Sequence, residues 1–286
     1  MKKNGLFVGL ITGDLFYLAT HMPGSNEKIV ASDYCFTAGG PATNAAIAFN
    51  YCGSKAQLIG AIGTQPLGVL LRHEIETYGV KVMDIEPNCD QSPPISSIIV
   101  TESTGDRSVI SLNINRLLSQ LPTSGMRFLH DSNVVLIDGH QMQIGEAIAK
   151  QANKCGIPVV VDGGSWKPNF DAVLCRSDYV ICSANFLPPG CENTGDVVDF
   201  LKNLGVGAIA ITQGEKPILW WFDGQSGEIA VPPTKVVDTL GAGDIFHGAF
   251  CHYILQQDFV TALSSAAEVA RYSCQFFGTR AWLTGR

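Results

Sequence analysis

Residues 236–244 have the sequence Val236-Val237-Asp238-Thr239-Leu240-Gly241-Ala242-Gly243-Asp244. Two apolar residues that can end a strand are followed by a turn of small residues and then by an acid. After the acid, apolar residues recur at helical spacing; they are Ile245, Phe246, Ala249, Phe250 and Tyr253. The stretch therefore predicts the end of a strand, a tight turn and a helix that begins beside an acid.

A small-residue turn at the start of a helix leaves backbone N–H groups uncovered. These donors and the helix dipole form a site for an anion, most often phosphate. Beside such an anion, the natural task of Asp244 is to accept a proton from a hydroxyl that attacks the phosphate. We therefore predict phosphoryl transfer, with Asp244 as catalytic base. The backbone of Gly241, Ala242 and Gly243 is predicted to hold the phosphoryl group.

Residues 238–244 resemble, without a departure, the DTxGAGD signature of the PfkB/ribokinase family of sugar and nucleoside kinases. Residues 39–46, Gly-Gly-Pro-Ala-Thr-Asn-Ala-Ala, resemble the family's glycine pair and the helix after it, which holds the substrate. The two motifs have the order and roughly the separation found in the family, and the resemblance covers nearly the whole chain. It implies transfer of the γ-phosphoryl group of ATP, with Mg²⁺, to a hydroxyl of a sugar or sugar-like substrate.

Apolar strand-like runs alternate with amphipathic segments along most of the chain. Predicted strands are residues 6–11, 57–62, 134–137, 158–161, 179–182 and 208–212, and predicted helices are residues 41–51, 67–78, 145–155 and 195–204. Such alternation predicts a mainly parallel sheet with helices on both faces. With the resemblance, the expected fold is α/β and ribokinase-like, with a doubly wound sheet.

Two segments break the alternation. Residues 27–37 and 95–114 are predicted strands with polar residues on one side, and residues 102–106 are a good hairpin turn within the second segment. The resemblance gives these segments the role of a small β-sheet lid over the sugar site. We expect one kinase domain over residues 1–286, with lid segments at about 15–38 and 92–116.

The acceptor side of the site is predicted from residues early in the chain. Asp14 lies just beyond the first predicted strand, where an acid can accept hydrogen bonds from two sugar hydroxyls, and a loop carboxylate in an Asx turn is the alternative. Gly39 and Gly40 allow the backbone to approach the sugar, and Asn44 can donate to and accept from hydroxyls. Arg107, after the lid turn, is a candidate for a polar or anionic substituent, although a solvated edge-strand charge would also explain it.

The nucleotide side is predicted from the resemblance. Thr212 and Gly214 resemble the family's nucleotide-side loop, together with Asn185 and Gly243. The family commonly has an Asn-x-x-Glu motif that organises magnesium, whereas here Asn185 is followed three residues later by Pro188. Residues 278–281 resemble the loop that borders the adenine pocket, with Arg280 equally explained as a surface charge. Carbonyl groups around Asp238 bind a monovalent cation such as K⁺ in some relatives.

Composition limits the class of protein and its partners. The net charge of −7 argues against nucleic acid as a partner, because phosphate backbones require clustered Lys and Arg. The nine cysteines are dispersed without a CxxC pair, which predicts reduced and mostly buried thiols in a cytoplasmic protein. We expect no membrane span. Pairing of two lids into a homodimer occurs in some relatives and is an option here.

Two alternatives stay open from the sequence. The same motifs serve ribose-bearing acceptors, so a nucleoside kinase of this family is the near alternative. A non-catalytic sugar- or nucleotide-binding protein is the second alternative, because the acid expected after Asn185 is missing. The intact turn and Asp244 speak against the second alternative. His247 is interpreted as a packing or helix-surface histidine.

Overall fold

The computed structural model describes residues 2–112 and 123–284. Its strands are β1 (Asn4–Val8), β2 (Thr12–Ala19), β3 (Asp33–Gly39), β4 (Lys55–Gly60), β5 (Lys81–Asp84), β6 (Ile95–Thr101), β7 (Arg107–Leu112), β8 (Val134–Ile137), β9 (Val159–Gly163), β10 (Tyr179–Ser183), β11 (Ala208–Gln213), β12 (Lys216–Phe222) and β13 (Gln225–Ile229). Its helices are α1 (Pro41–Tyr51), α2 (Pro66–Thr77), α3 (Thr123–His130), α4 (Met142–Cys155), α5 (Asp171–Leu174), α6 (Thr194–Asn203), α7 (Ala242–Tyr253) and α8 (Phe259–Ser273), with a 3-10 helix at Ala281–Thr284. Across these described ranges, no helix combines the length and apolar character that crossing a membrane requires.

Nine strands form the main sheet, in the order β13-β12-β11-β10-β9-β8-β1-β4-β5. Neighbours from β11 through to β5 pair in parallel, which confirms the predicted mainly parallel sheet. Strands β12 and β13 form an antiparallel hairpin at one edge that the sequence analysis did not predict. Gly214, with φ 66°, lies in the tight turn that folds β12 back onto β11.

The core lies on both faces of the main sheet. Residues of alternating direction along β1 divide between the two faces: Phe7 packs with α1, α7 and α8, whereas Leu6 and Val8 pack with α4, α5 and α6. All three side chains have no more than trace exposure. A parallel strand that is buried on both faces needs a continuous apolar run, and this requirement explains why these strands were readily predicted.

A second sheet of four strands, in the order β3-β2-β6-β7, forms the lid. Strands β2 and β6 pair in parallel, and the outer pairs are antiparallel. This sheet confirms the predicted lid, although β3 begins at Asp33 and not at residue 27. The predicted lid residues 113–116 lie outside the described residues. One lid face presents Asp14, Phe16 and Ser96 to the rest of the protein, and these side chains are buried.

The first predicted strand, residues 6–11, is wrong at its end. Strand β1 ends at Val8, and the chain enters lid strand β2 four residues later, at Thr12. The Asp138 carboxylate occupies the space that a Cβ at Gly9 would take, and it accepts the N–H of Leu10 at 2.9 Å. This contact turns the chain out of the main sheet. Asp14 therefore lies inside a paired lid strand, and neither the predicted loop nor the Asx-turn alternative is correct.

The cysteines differ in exposure more than expected. All nine lie within the described ranges and are free. Cys182, Cys251 and Cys274 are buried, whereas Cys155 and Cys175 are exposed and the other four are half-buried. Burial raises the pKa of the Cys182 thiol well above its ordinary value, which keeps it protonated. The prediction of mostly buried thiols is therefore correct for only three of the nine.

Helices α1 and α7 cross at very close range. A Cβ at Gly248 of α7 would collide with the backbone carbonyl of Ala45 in α1. Both residues are buried, and the chain on either side is rich in small residues. The crossing brings the first turns of the two helices together, and these turns carry Asn44 and Asp244. The packing of the core thus positions the predicted site.

We expect Gly248→Ala to lower the free energy of unfolding by about 1–3 kcal/mol, because the added methyl must push α7 away from α1. Urea denaturation measures this change. Gly207→Ala is the matched control, since a Cβ at Gly207 meets no atom within 4 Å. Equal effects of the two substitutions would contradict the close-crossing explanation.

Candidate active site

Asn44 and Asp244 face each other where α1 crosses α7. The side-chain Nδ2 of Asn44 donates to Oδ2 of Asp244 at 2.8 Å. Gly241 precedes Asp244 with φ 72°, and a Cβ there would lie 2.8 Å from Cγ2 of Thr279, so the turn requires glycine. The residue predicted as base and the amide predicted to hold the acceptor are therefore in direct contact.

Asp244 is half-buried beneath this contact. Burial, followed by the negative charge of Asp162, raises the pKa of Asp244 to about 7, and the hydrogen bond from Asn44 lowers it in part. Proton transfer is most efficient when the pKa of the base lies near the working pH. The environment of Asp244 therefore matches the chemistry of a general base near neutrality.

The turn before α7 has two uncommitted backbone donors. The N–H of Ala242 donates to the carbonyl of Thr239 at 3.2 Å, which closes the turn. No hydrogen bond among the described residues uses the N–H of Gly241 or Gly243. This geometry corrects the prediction that all three turn amides point to the phosphoryl group, because Ala242 spends its N–H within the turn. An anion at the start of α7 has the amides of Gly241 and Gly243 available.

His247 is buried below the turn and is not on the helix surface. Its Nδ1 lies 2.6 Å from the carbonyl oxygen of Gly243 and 3.5 Å from Oδ2 of Asp162, and its Nε2 lies 3.1 Å from the carbonyl oxygen of Ile181. A ring nitrogen that faces a carbonyl oxygen makes a hydrogen bond there only when it carries a hydrogen, because a carbonyl oxygen only accepts. The Asp162 carboxylate lies beside the same nitrogen, Nδ1. His247 therefore holds the Gly243 carbonyl in place.

Asp14, Gly39 and Gly40 form a wall on the lid side. A Cβ at Gly39 would overlap the Asp14 carboxylate, so the missing side chain at Gly39 makes room for Asp14. Burial raises the pKa of Asp14 to about 6, against a hydrogen bond from Ser96 that lowers it. Gly40, with φ 101°, turns the chain from β3 into α1. The structure therefore joins this wall to Asn44 through one turn of helix.

Asp138 and Asp162 are two acids that the sequence analysis did not select. Asp138 accepts the N–H of Leu10 at 2.9 Å, of Ala42 at 3.1 Å and of His140 at 2.9 Å, so it joins the ends of β1 and β8 to α1. Each acid lies at the carboxyl end of a predicted parallel strand, where ligand-binding residues gather in α/β sheets. That position was the signal that would have identified them.

Arg280 is buried on the acceptor side of the site. Its Nη1 donates to Oδ1 of Asn44 at 2.9 Å and to the carbonyl of Thr279 at 3.0 Å, and its Nη2 donates to the carbonyl of Ala38 in β3. The surface-charge explanation is therefore wrong. Arg280 contacts the lid and α1, and its hydrogen bonds place it next to the residues that face the acceptor.

Arg107 and Asp238 hold the segment before the turn. Nη1 of Arg107 donates to Oγ1 of Thr239 at 2.7 Å, at an exposed position, so the last lid strand contacts residues 238–244. Oδ1 of Asp238 accepts the N–H of Leu240 at 2.8 Å, and Oδ2 accepts the N–H of Gly278 at 3.0 Å. Asp238 is buried and fixes the path of the chain into the turn.

The predicted nucleotide-side residues lie at the ends of neighbouring strands β10 and β11. The backbone N–H of Asn185 donates to Oγ of Ser183 at 3.2 Å, and Oγ1 of Thr212 donates to the carbonyl of Cys182 at 3.3 Å. Gly214 lies two residues after Thr212, in the turn to β12. The structure thus brings these three residues to one edge of the sheet, separate from the wall formed by Asp14 and Gly39.

A cavity of about 220 Å³ opens at this edge, with Ser183, Glu192 and Asn193 in its lining. Within residues 2–112 and 123–284, no group of three or more His, Cys, Asp or Glu side chains is placed to hold a metal ion. Mg²⁺ prefers oxygen ligands, keeps several waters and binds through substrate phosphates.

We expect Asp244→Asn to stabilise the protein at pH 8 and to lose this advantage as the pH falls toward 4. Ionised Asp244 is penalised only in the folded state, so the penalty grows as pH rises from the unfolded pKa, near 4, through about 7. Removing it should add on the order of 2 kcal/mol to the free energy of unfolding at pH 8. Urea denaturation at pH 5 and pH 8 measures the difference.

Asp223→Asn is the control for that experiment. Asp223 is exposed in the turn between β12 and β13, with φ 50°, a conformation that asparagine adopts readily. The control should change stability little, and equally at both pH values. A gain from Asp244→Asn that does not depend on pH would show that Asp244 carries no charge penalty in the folded protein.

Comparison with known proteins identifies the family of this chain. The model of the pfkB family carbohydrate kinase matches residues 2–284. The deoxyribokinase of Salmonella typhi is 26% identical over 282 residues, which cover 93% of this chain and 91% of the relative. The ribokinase of Bacillus subtilis is 22% identical over 296 residues, which cover 99% of this chain and 97% of the relative.

Solved structures confirm the predicted fold. Arabidopsis thaliana ribokinase complexed with ribose and ATP superposes with a TM-score of 0.78 at 21% identity, covering 97% of this chain and 94% of that chain. Thermotoga maritima ribokinase superposes with a TM-score of 0.81 at 18% identity, covering 99% and 96%. The chain therefore belongs to the pfkB family of carbohydrate kinases and is a phosphotransferase with a ribokinase-like fold.

Proposed function

We propose that the protein transfers the γ-phosphoryl group of ATP to a hydroxyl of a sugar or sugar-like substrate, with Asp244 as the catalytic base. One observation carries this proposal. Asp244 is half-buried at the start of α7, accepts a hydrogen bond from Asn44 and lies beside a turn with two uncommitted amides. A base and an anion site within one helical turn are what attack by a hydroxyl on a phosphoryl group requires.

The acceptor would bind between the lid and α1. Asp14 accepts hydrogen bonds from two sugar hydroxyls, while the backbone at Gly39 and Gly40 lies close to the ring. Asn44 adjoins the attacking hydroxyl, and Arg107 at the lid edge contacts a polar substituent. Burial raises the pKa of Asp14 because its carboxylate has lost hydrogen bonds from water. Two sugar hydroxyls would supply hydrogen bonds in place of that water, which supports the proposed role.

In the transfer step, Asp244 takes the proton of the attacking hydroxyl as the new P–O bond forms. The bond from the γ-phosphorus to the bridging oxygen breaks, and ADP leaves with that electron pair. The amides of Gly241 and Gly243 would hold the phosphoryl oxygens, and Ala242 shapes the turn through its own bond to Thr239. The lid would exclude water, which otherwise competes as the acceptor.

The nucleotide would bind along Asn185, Thr212 and Gly214, with its terminal phosphate at Gly243. When bound, Mg²⁺ neutralises charge on the phosphates, and here it would rely mainly on those phosphates and on water. Asp162 is a buried carboxylate whose negative charge raises the pKa of Asp244. A monovalent cation such as K⁺ is proposed at the carbonyl groups around Asp238.

The choice of acceptor rests on the relatives. Their names, deoxyribokinase and ribokinase, favour a pentose as the first acceptor to test, and the nucleoside alternative is tested beside it. The second alternative, a binding protein without turnover, predicts ATP binding with no ADP release for any acceptor. We place the protein in the cytoplasm, in keeping with nine free thiols, and we expect no nucleic-acid partner at net charge −7.

A homodimer through the lid is the remaining proposal. Successive residues of each lid strand point to opposite faces of the sheet. The face opposite Asp14 points away from the core and exposes large apolar side chains. These are Tyr17, Tyr34, Ile95, Ile110 and Leu112. An exposed apolar patch on a four-stranded sheet is typical of a protein interface, and a second copy of the same face is self-complementary.

We expect Asp244→Asn to lower kcat by about 10²- to 10⁴-fold, because the attacking hydroxyl loses its general base. ADP release with ribose, deoxyribose and a panel of nucleosides measures kcat, and calorimetry measures ATP affinity, which should stay within about threefold. Asp223→Asn is the control and should keep the full kcat. A good acceptor that is phosphorylated equally fast by Asp244→Asn would remove Asp244 from the base role.

We expect sedimentation to report a dimer and the variant Tyr34→Glu/Ile110→Glu to sediment as a monomer, because both charges would be buried in the interface. Val109→Glu is the matched control: Val109 is also exposed, but it neighbours Ile110 on the strand and faces the opposite side of the lid. A monomeric wild type at micromolar concentration, or loss of the dimer with Val109→Glu alone, would overturn the proposed interface.

A further inference from the structure

Arg280 makes contacts that the proposed reaction does not by itself explain. Its guanidinium reaches three parts of the protein at once: Asn44 in α1 at 2.9 Å, the carbonyl of Ala38 in lid strand β3, and Glu74 in α2, whose Oε1 lies 3.4 Å from Nε. Arg280 is 7% exposed. A cation this deeply buried requires a counter-charge and satisfied donors, or it destabilises the fold.

Glu74 supplies the counter-charge without competing for Asn44. Its Oε2 accepts the N–H of Ala38 at 2.6 Å, while its Oε1 faces the guanidinium at a distance longer than an ideal hydrogen bond. The guanidinium carbon lies over the ring of Tyr78, 5.6 Å from the ring centroid. Glu74 and Arg280 therefore bind the N–H and the C=O of the same residue, Ala38, which directly precedes Gly39.

The direction of the Arg280–Asn44 bond fixes the orientation of an amide. A guanidinium only donates, so the Asn44 atom that faces Arg280 must be the carbonyl Oδ1. The NH₂ group of Asn44 is then the part that faces Asp244, at 2.8 Å. With the amide rotated by 180°, Oδ1 would face the Asp244 carboxylate, and two acceptors would repel each other.

We propose that Arg280 is a positioning residue for the phosphoryl transfer: it locks the Asn44 amide so that its NH₂ group donates to Asp244 and holds the base toward the acceptor. The proposal rests on the proposed function of Asp244. It assigns to the segment after α8 a part in the acceptor side of the site. Because the same guanidinium donates to the carbonyl of Ala38, the placement of Asn44 depends on the position of β3 at the point where this lid strand leads into α1.

The geometry separates arginine from lysine at this position. Two nitrogens of one rigid fork are needed to reach Asn44 and Ala38 together, and a single ammonium group cannot keep both contacts in place. Arg280→Lys keeps the charge opposite Glu74 and loses the fork. Arg280→Met, combined with Glu74→Gln, removes both charges and every guanidinium donor. The double substitution therefore does not leave the Glu74 carboxylate without its partner.

The kinetic test compares these variants on the best acceptor. We expect Arg280→Lys and Arg280→Met/Glu74→Gln to lower kcat by about 10- to 100-fold through misplacement of the base, with the KM for ATP within about twofold. Glu74→Gln alone keeps the Asn44 contact and should retain most of kcat. Arg72→Met is the matched control, because Arg72 is an ion-paired arginine of α2 that contacts Asp84 and lies outside this network.

A double-mutant cycle tests the route through Asn44. If Arg280 acts through that amide, adding Arg280→Lys to Asn44→Ala should lower kcat by less than about twofold beyond Asn44→Ala alone. Full additivity would overturn the proposal, as would wild-type kcat in Arg280→Lys. A rise in the KM for ATP with an unchanged kcat would show instead that Arg280 serves nucleotide binding.

A readout without turnover separates this proposal from the proposed function. In ¹H–¹⁵N spectra of the unliganded protein, the side-chain amide signals of Asn44, assigned by their loss in Asn44→Ala, should exchange slowly with water. Arg280→Lys should speed that exchange by at least tenfold, whereas Arg72→Met should leave it unchanged. Unchanged protection in Arg280→Lys overturns the locked amide even if the kinase is active. Lost protection in a protein with no kinase activity contradicts the proposed function alone.

Discussion

The close crossing of α1 and α7 is the constraint on which the site depends. Gly248 has no room for a side chain against Ala45, so the two helices approach at backbone distance and their first turns meet. Each first turn carries the positive end of a helix dipole, which favours negative charge such as that of a carboxylate or a phosphate. A wider crossing would keep the fold and separate Asn44 from Asp244. The core of the protein and its chemistry thus share one packing contact.

Buried charge in the site is balanced locally and not by the net charge of the chain. Asp14 and Asp244 both have pKa values that burial raises toward neutrality, and each has a polar neighbour that partly offsets the cost. Glu74 is opposed by the Arg280 guanidinium. The protein therefore keeps destabilising carboxylates at the candidate site, and the burial of apolar side chains on the two faces of the main sheet offsets their cost. Strongly perturbed groups that cluster in this way are characteristic of functional sites.

The sequence was sufficient for the parts of the structure that local patterns determine. Parallel strands buried on both faces require continuous apolar runs, so six of the nine strands of the main sheet were predicted, and the short parallel edge strand β5 was not. The turn at Gly241 was predicted from its run of small residues, and its φ of 72° is one that glycine adopts readily. Asp14 was misplaced because Gly9 ends β1 through a contact with Asp138, 129 positions along the chain. The edge hairpin of β12 and β13 was not predicted because no helix lies between β11, β12 and β13, and the prediction relied on strands that alternate with helices.

Contacts between side chains that are far apart in the sequence were the other feature that could not be predicted. Arg280 meets Asn44 only after the fold closes, and nothing near residue 280 indicates a buried carboxylate such as Glu74. His247 was assigned to packing because its acceptors, the carbonyls of Gly243 and Ile181, are backbone groups that leave no trace in residue type. Local pattern therefore predicted Asp244 as the catalytic base, and the tertiary structure shows which side chains surround it.

At two glycines of this protein, a carboxylate from elsewhere in the chain fills the space that a side chain would need. The Asp138 carboxylate fills the place of a side chain at Gly9, and the Asp14 carboxylate fills the place of one at Gly39. Any replacement at either glycine must displace the acid that the glycine accommodates, so each pair can only change together.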